Sequence, residues 1–248
     1  MAFRPILRLL HELRDVPLDI YAALGHGRSY GSTTNVSGRV LPGITTCGLW
    51  EKWENSARLP ARALLTDIGN DLFYNSSVEE ILDWIRLALR RLQPRCEQIA
   101  LTLVPLENAR AINPSFYRAF LRVCFASCRV TQDEMLERAA ALNRGLVELA
   151  AEYQVTIVEQ PRAWYGWDPI HHRRGRRRVA WETILDSWRT LAQKNSRFQK
   201  NIFASGNELH WWTWWRHGWP AQQQWRGRVI ERAQPCLVWP HGTRLSLY

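Results

Sequence analysis

Residues 18–31 read Leu18-Asp19-Ile20-Tyr21-Ala22-Ala23-Leu24-Gly25-His26-Gly27-Arg28-Ser29-Tyr30-Gly31. The apolar first half predicts a buried strand, and the second half sets a serine among glycines directly after it. Glycines permit a sharp turn that lifts a hydroxyl group out of a sheet and lets a substrate approach the backbone. Ser29 is therefore a candidate nucleophile, and its interpretation depends on partners further along the chain.

Polar residues also follow later strand candidates. The apolar run 61–68 ends in Gly69-Asn70-Asp71, and the strand candidate 155–158 precedes the pair Asp168 and His171. A short strand candidate at 39–41 runs into another turn, at Gly43. Ligands bind at the carboxyl ends of strands in parallel α/β sheets. We therefore expect these positions to converge on one site.

Helices with clear start signals separate the strands. A Ser-x-x-Glu capping box falls within 76–80 and a Thr-x-x-Glu box at 131–134, each followed by an apolar helical stripe. A strand is expected at 98–104, a packed aromatic helix within 105–129, and a polar loop at 31–38. This order predicts an α/β fold, a three-layer α/β/α sandwich with a mostly parallel central sheet.

The composition indicates a soluble protein. No apolar run approaches the length of a membrane-spanning helix. The amphipathic N-terminal segment, expected to be a helix over 3–14, lacks the features of a signal peptide, so we expect a cytoplasmic location. The formal net charge is +10, and the five scattered cysteines predict reduced thiols with no metal site. No organic cofactor is implied.

These residue types fit nucleophilic catalysis. A serine hydroxyl needs a neighbouring base, histidine suits that role, and a carboxylate orients the imidazole. Asp168 and His171 lie three residues apart at a predicted helix start. The backbone N–H groups of Ser29 and Gly43, with the Asn70 side-chain amide, could stabilise the oxyanion.

The ordered set of serine, glycine, asparagine and histidine resembles the SGNH hydrolase superfamily, the GDSL-type esterases and lipases. The resemblance covers residues 18 to about 190, and it implies a flavodoxin-like fold and cleavage of a carboxylic ester through an acyl-enzyme. The substrate would be a small-molecule, lipid or carbohydrate ester. Arg28 stands where the family usually has an aspartate, and Gly48 is a second candidate for the oxyanion glycine. The resemblance suggests substrate contacts for three further residues, Arg28, Tyr30 and Asp71.

Other interpretations use the same residues. The Gly-x-Ser-x-Gly pattern also occurs in the nucleophile elbow of α/β-hydrolases, but there several strands normally precede the serine. The glycine turn could bind a phosphate, although no dinucleotide or Walker pattern supports that. Asn70 could merely cap its own turn. His172 is an alternative to His171, and His26 is expected to be structural.

We expect two regions, a catalytic domain over 1–195 and a tryptophan-rich extension over 196–248. The extension has a cluster at 210–215, further tryptophans at 219, 225 and 239, and a predicted final hairpin. Five arginines lie within 173–178. The alternative function is therefore a non-catalytic protein that binds a polyanion or a glycan, with nucleic acid the less favoured partner.

Overall fold

The computed structural model describes Ile6, Leu9 and residues 17–36, 38–125, 127–166, 171–188 and 220–248. The chain divides into two compact units. The parallel-sheet unit comprises Met1–Leu7 and Arg58–Asn195, and the β unit comprises Arg8–Ala57 and Ser196–Tyr248. The expected catalytic domain thus spans both units, because residues 8–57 group with the C-terminal segment.

The described residues include ten strands and six α-helices with defined bounds. The strands are β1 (Asp19–Ala22), β2 (Thr34–Val36), β3 (Arg39–Leu41), β4 (Ala61–Leu65), β5 (Cys96–Thr102), β6 (Thr156–Val158), β7 (Gln222–Trp225), β8 (Arg228–Glu231), β9 (Leu237–Val238) and β10 (Arg244–Leu247). The helices are α1 (Leu49–Asn55), α2 (Val78–Leu92), α3 (Leu106–Arg110), α4 (Pro114–Cys124), α5 (Gln132–Glu152) and α6 (Arg177–Asp186).

The parallel-sheet unit is built on three parallel strands in the order β4-β5-β6. Helix α2 connects the first pair, and helices α3 to α5 connect the second. The ends of the strands are joined by side chains, since Thr102 Oγ1 donates to Thr66 Oγ1 at 3.1 Å. Asn143 of α5 makes two 2.9 Å hydrogen bonds with the backbone N–H and C=O of Val104.

Both predicted capping boxes are present. The hydroxyls of Ser77 and Thr131 accept from the third backbone N–H of α2 and α5, and Glu80 and Glu134 bond back to the N-cap N–H groups. The apolar stripes that follow are buried. Fully buried aliphatic side chains of this unit form its core, namely Ile68, Leu72, Ile81, Ile85, Leu89, Leu101, Leu142, Leu146, Ile184 and Leu185.

The β unit contains two small sheets. In the first, β1 pairs in parallel with β10, which pairs antiparallel with β9. The second is antiparallel, in the order β2-β3-β7-β8. A two-bond ion pair between Arg244 and Asp19 links the ends of β10 and β1, with both N–O distances 2.6 Å.

The fold confirms the α/β class and the final hairpin, and it corrects two expectations. The strands before Ser29 and Gly43 do not belong to the parallel sheet, because β1 pairs with β10 and β3 pairs with β2 and β7. The segment 31–38 is not simply a loop, because β2 forms there and pairs with β3.

Some predictions fall on residues that are only partly described. Ile6 and Leu9 are helical, while the rest of the predicted helix 3–14, Asp168 and the tryptophans at 210–219 lie outside the described residues. All five cysteines are free thiols. No described helix is long and apolar enough to cross a membrane.

Candidate functional site

In the β unit, the serine turn and the glycine turn predicted from sequence are joined to each other. The N–H groups of Ile44 and Thr45 donate to the carbonyl oxygens of Ser29 and Tyr30 at 3.0 and 2.8 Å. The Thr45 hydroxyl adds a second bond to the Tyr30 carbonyl, at 2.8 Å. We call this set of bonds the Ser29–Gly43 clamp.

Gly43 is the position in this clamp that admits no side chain. A Cβ there would lie 2.3 Å from the carbonyl oxygen and 2.6 Å from the carbonyl carbon of Gly31, both of which are backbone atoms. At Gly48, the alternative oxyanion glycine, a Cβ would lie 3.6 Å from the Tyr248 ring, an ordinary contact. The close backbone approach therefore singles out Gly43, whose N–H makes no hydrogen bond to a described residue.

The Ser29 side chain is held within its own turn. Its Oγ accepts hydrogen bonds from the N–H groups of Gly31 and Ser32, at 3.1 and 2.8 Å, and the residue is fully buried. Amide donors to a hydroxyl oxygen favour its deprotonated form. Ser29 is thus oriented and polarised, unlike an ordinary solvated loop serine.

The Arg28 side chain stabilises the serine turn through hydrogen bonds to backbone carbonyl groups. Its Nε donates to the Pro42 carbonyl at 2.9 Å, and its Nη1 donates to the carbonyls of Leu24 and Tyr248. Burial lowers the pKa of this guanidinium group. These bonds connect the serine turn to the glycine turn and to the end of β10, so they account for Arg28 as a structural residue.

The other two predicted substrate contacts are also buried. Tyr30 is 4% exposed and Asp71 is 0% exposed. Their positions are those of packed side chains.

In the parallel-sheet unit, Asp67 and Asn70 lie just past the carboxyl end of β4. Asp67 adopts a left-handed backbone conformation (φ 60°) before the 3-10 turn Ile68–Tyr74. The Asn70 side-chain amide makes no hydrogen bond to a described residue, so it does not cap the turn. Asn70 and Asp67 instead line a cavity.

Asp67 is electrostatically coupled to His171. Asp67 is an exposed residue that lines the cavity, and many protein atoms surround its carboxyl group. Desolvation raises its pKa, and the neighbouring His171 acts in the opposite direction. Asp67 also raises the pKa of Tyr165, to which burial contributes most.

Gln160, two residues past β6, organises the same end of the sheet. Its Nε2 donates to the Leu103 carbonyl at 2.8 Å, and its Oε1 accepts from the Tyr165 hydroxyl at 2.7 Å. Nε2 of His172 lies 3.2 Å from that same oxygen. Because a carbonyl oxygen only accepts, His172 is assigned a proton on Nε2.

The two adjacent histidines have different environments. His172 packs against the rings of Trp164, Tyr165 and Trp181 at centroid distances of 5.0–5.9 Å, and it forms an antiparallel bridge with Tyr165. His171 is exposed on the same turn. His172 therefore anchors the segment, and His171 is the solvent-exposed member of the pair.

The structure therefore brings the predicted residues together in two sets. Ser29 and Gly43 meet in the β unit, and Asn70 and His171 belong to the parallel-sheet unit. Asp67, Gln160 and Tyr165 were not predicted. The position of Asp67 just after a strand could have indicated a site residue. Gln160 and Tyr165 could not be found in this way, because neither has a nucleophilic or basic side chain. No group of three metal-ligating side chains occurs among the described residues.

Comparison with known proteins gave no match, neither to a protein-family model nor to a curated protein. The resemblance to SGNH hydrolases thus stays a prediction from the four motifs.

We predict that Gly43→Ala lowers the free energy of unfolding by about 2 kcal/mol, because the new methyl group meets the Gly31 backbone and the clamp must open. Gly48→Ala is the matched control, and its effect should stay within about 0.5 kcal/mol. Urea unfolding of both variants measures the difference. Equal effects would show that the close approach at Gly43 is unimportant.

We predict that His172 makes the protein less stable in mild acid. Burial lowers its pKa to about 4, and Arg177 and His171 act in the same direction. The unfolded chain takes up this proton near pH 6.5, so the stability contributed by neutral His172 is lost as the pH falls from about 6.5 to about 4.

The test is urea unfolding at pH 7 and pH 5 for wild type and His172→Gln. The variant should be less stable at pH 7, because ring contacts are lost, but the difference between the two pH values should shrink by about 1 kcal/mol. His241→Gln, which alters an exposed histidine, is the control. An unchanged pH difference in His172→Gln would contradict the assignment.

Proposed function

We propose that the chain is a serine hydrolase that cleaves a carboxylic ester through an acyl-enzyme intermediate, as the SGNH resemblance implies. Ser29 is the nucleophile, His171 the general base and Asp168 the residue that orients the imidazole. The oxyanion donors are the N–H groups of Ser29 and Gly43 and the side-chain amide of Asn70.

The observation that carries the proposal is the Ser29–Gly43 clamp. Two motifs chosen from sequence as nucleophile and oxyanion donor are fastened to each other by backbone hydrogen bonds. The N–H of Gly43 makes no hydrogen bond to a described residue, and it lies in the turn that is bonded to the serine turn, so we take it as an oxyanion donor. A donor that needs no reorganisation is what stabilises a developing oxyanion most effectively.

Two features of the parallel-sheet unit support the same function. The Asn70 amide is not used within its own turn and lines a cavity. His171 is exposed, while its neighbour His172 is fixed by rings and by Gln160. An anchored turn that presents one accessible imidazole suits a general base, which must keep its orientation during proton transfer.

In this mechanism, Ser29 Oγ attacks the ester carbonyl carbon while His171 accepts the hydroxyl proton. The carbonyl oxygen becomes an oxyanion and is stabilised by the three N–H donors. Collapse of the intermediate breaks the bond to the alcohol, which leaves with the proton from His171. A water molecule, deprotonated by His171, then releases the acid and restores Ser29.

The burial of Ser29 adds a constraint. Because the residue has no exposed surface, an ester reaches it only when the groups covering the turn move aside. The proposal therefore implies a preference for compact acyl groups near the nucleophile.

A second candidate is polyanion binding by the arginines of 173–178. Arg174 and Arg176 are exposed on the 3-10 turn before α6, and Arg173, its N-cap, is exposed as well. This exposure favours contact with an anionic surface. Such binding would fall steeply with salt and would not need Ser29.

We predict that purified protein hydrolyses short p-nitrophenyl esters and that Ser29→Ala lowers kcat/KM at least about 10³-fold, because the attacking atom is lost. Ser32→Ala is the control in the same turn. Ser32 contacts Ser29 Oγ through its backbone N–H, which the variant keeps. Ester hydrolysis that survives Ser29→Ala would contradict the assignment. Inactive, folded wild type with salt-sensitive retention on heparin would favour the second candidate.

A further inference from the structure

A cavity of about 120 Å³ lies within the parallel-sheet unit, beside the carboxyl ends of its strands. Its walls come from two kinds of element. Polar side chains past the strand ends line one part, among them Asp67, Asn70, Gln160 and Tyr165. Helices α3, α4 and α5 supply the other part, which is almost entirely apolar.

The apolar wall is made of large side chains that are not fully packed. Ile112, Phe116 and Phe120 line the cavity and are only half-buried. Phe120 packs edge-on against Phe73, another lining residue, at a centroid distance of 5.8 Å. Phe73 in turn stacks on Phe125 at 4.7 Å. These ring contacts keep the wall in place and leave its inner surface for a hydrocarbon group.

The polar part of the lining connects the cavity to the proposed chemistry. Asn70, the proposed oxyanion donor, is itself a lining residue, and its amide has no hydrogen-bond partner among the described residues. A carbonyl oxygen bound by Asn70 would place the group attached to that carbonyl at the entrance of the apolar part. The chemistry of the lining thus matches a molecule with one carbonyl and a hydrocarbon end.

The volume limits the size of that end. An apolar cavity of about 150 Å³ in another protein binds benzene, a ring of six carbons. A cavity of about 120 Å³ therefore accommodates roughly four to six carbons.

We infer that this cavity binds the hydrocarbon part of the acyl group, and that the substrate is an ester of a short acid whose hydrocarbon chain has about four to six carbons beyond the carboxyl carbon. The inference deepens the proposed function and rests on it for the ester. The cavity's ability to bind a carbonyl compound with a short chain is independent of catalysis.

The binding test uses Ser29→Ala protein, in which the proposed nucleophile is absent. The probes are methyl n-alkyl ketones from 2-butanone to 2-dodecanone, neutral compounds that keep the carbonyl and have no leaving group. Ligand-observed NMR titration gives each affinity. We expect a gain of about fourfold for each buried methylene, the factor that corresponds to about 0.8 kcal/mol, and a plateau near six chain carbons.

The decisive variant is Ala109→Leu. Ala109 of α3 lines the cavity, and a leucine there adds three carbons to its wall. Affinity for the six-carbon chain should fall by about 10–60-fold, the equivalent of two to three buried methylenes, while 2-butanone is little affected. Ala119→Leu makes the same change at an exposed position of α4 that does not line the cavity, and it should change nothing.

Ester hydrolysis by protein with Ser29 intact then assigns the acyl side. Two p-nitrophenyl or ethyl ester series are compared, one with acyl chains of increasing length and one with alcohol chains. The Ala109→Leu variant should alter chain-length preference in the acyl series alone.

The outcomes separate the two proposals. Length-dependent ketone binding that Ala109→Leu abolishes, in a chain with no esterase activity, would retain the cavity and reject the hydrolase. Ser29-dependent hydrolysis with ketone affinities indifferent to chain length or to Ala109→Leu would retain the hydrolase and overturn the cavity's role. An effect confined to the alcohol series would overturn the acyl assignment.

Discussion

The backbone bonds from Ile44 and Thr45 to the carbonyls of Ser29 and Tyr30 are the constraint on which the proposed chemistry depends. Backbone groups in a buried turn must find partners, and here each turn satisfies the other. The glycine at position 43 makes this possible, since any side chain would collide with the Gly31 backbone. Within the same clamp, the Gly43 N–H makes no hydrogen bond to a described residue.

In the parallel-sheet unit, the side-chain amide of Gln160 links separate segments of the chain. Gln160 bonds to the backbone after β5, to the Tyr165 hydroxyl and to the His172 ring, so it joins two strand ends to the histidine turn. The bond to Gln160 fixes the His172 ring, and burial lowers its pKa. His171 beside it is exposed and interacts electrostatically with Asp67. The two neighbouring histidines therefore differ in environment, one packed among rings and one exposed.

The features that could be predicted from sequence are those that depend on interactions between residues close together in the chain. The capping boxes at Ser77 and Thr131 are local, and both were foreseen. The pairing of β1 with β10 joins residues 225 positions apart, and no local sequence pattern predicts it. The glycine and serine pattern predicts the two turns but not the bonds that join them, and Gln160 and Tyr165 act through contacts between residues that only the fold brings together.

The central claim is that Ser29 is a nucleophile activated by His171. The most direct measurement is mass-spectrometric mapping of the covalent adduct after treatment with a small fluorophosphonate, for wild type, His171→Ala and the control His26→Ala, which changes an exposed histidine beside the serine turn. The account predicts a single adduct on Ser29 that is lost in His171→Ala and kept in His26→Ala. An adduct on another residue, no adduct at all, or Ser29 labelling that persists without His171 would contradict it.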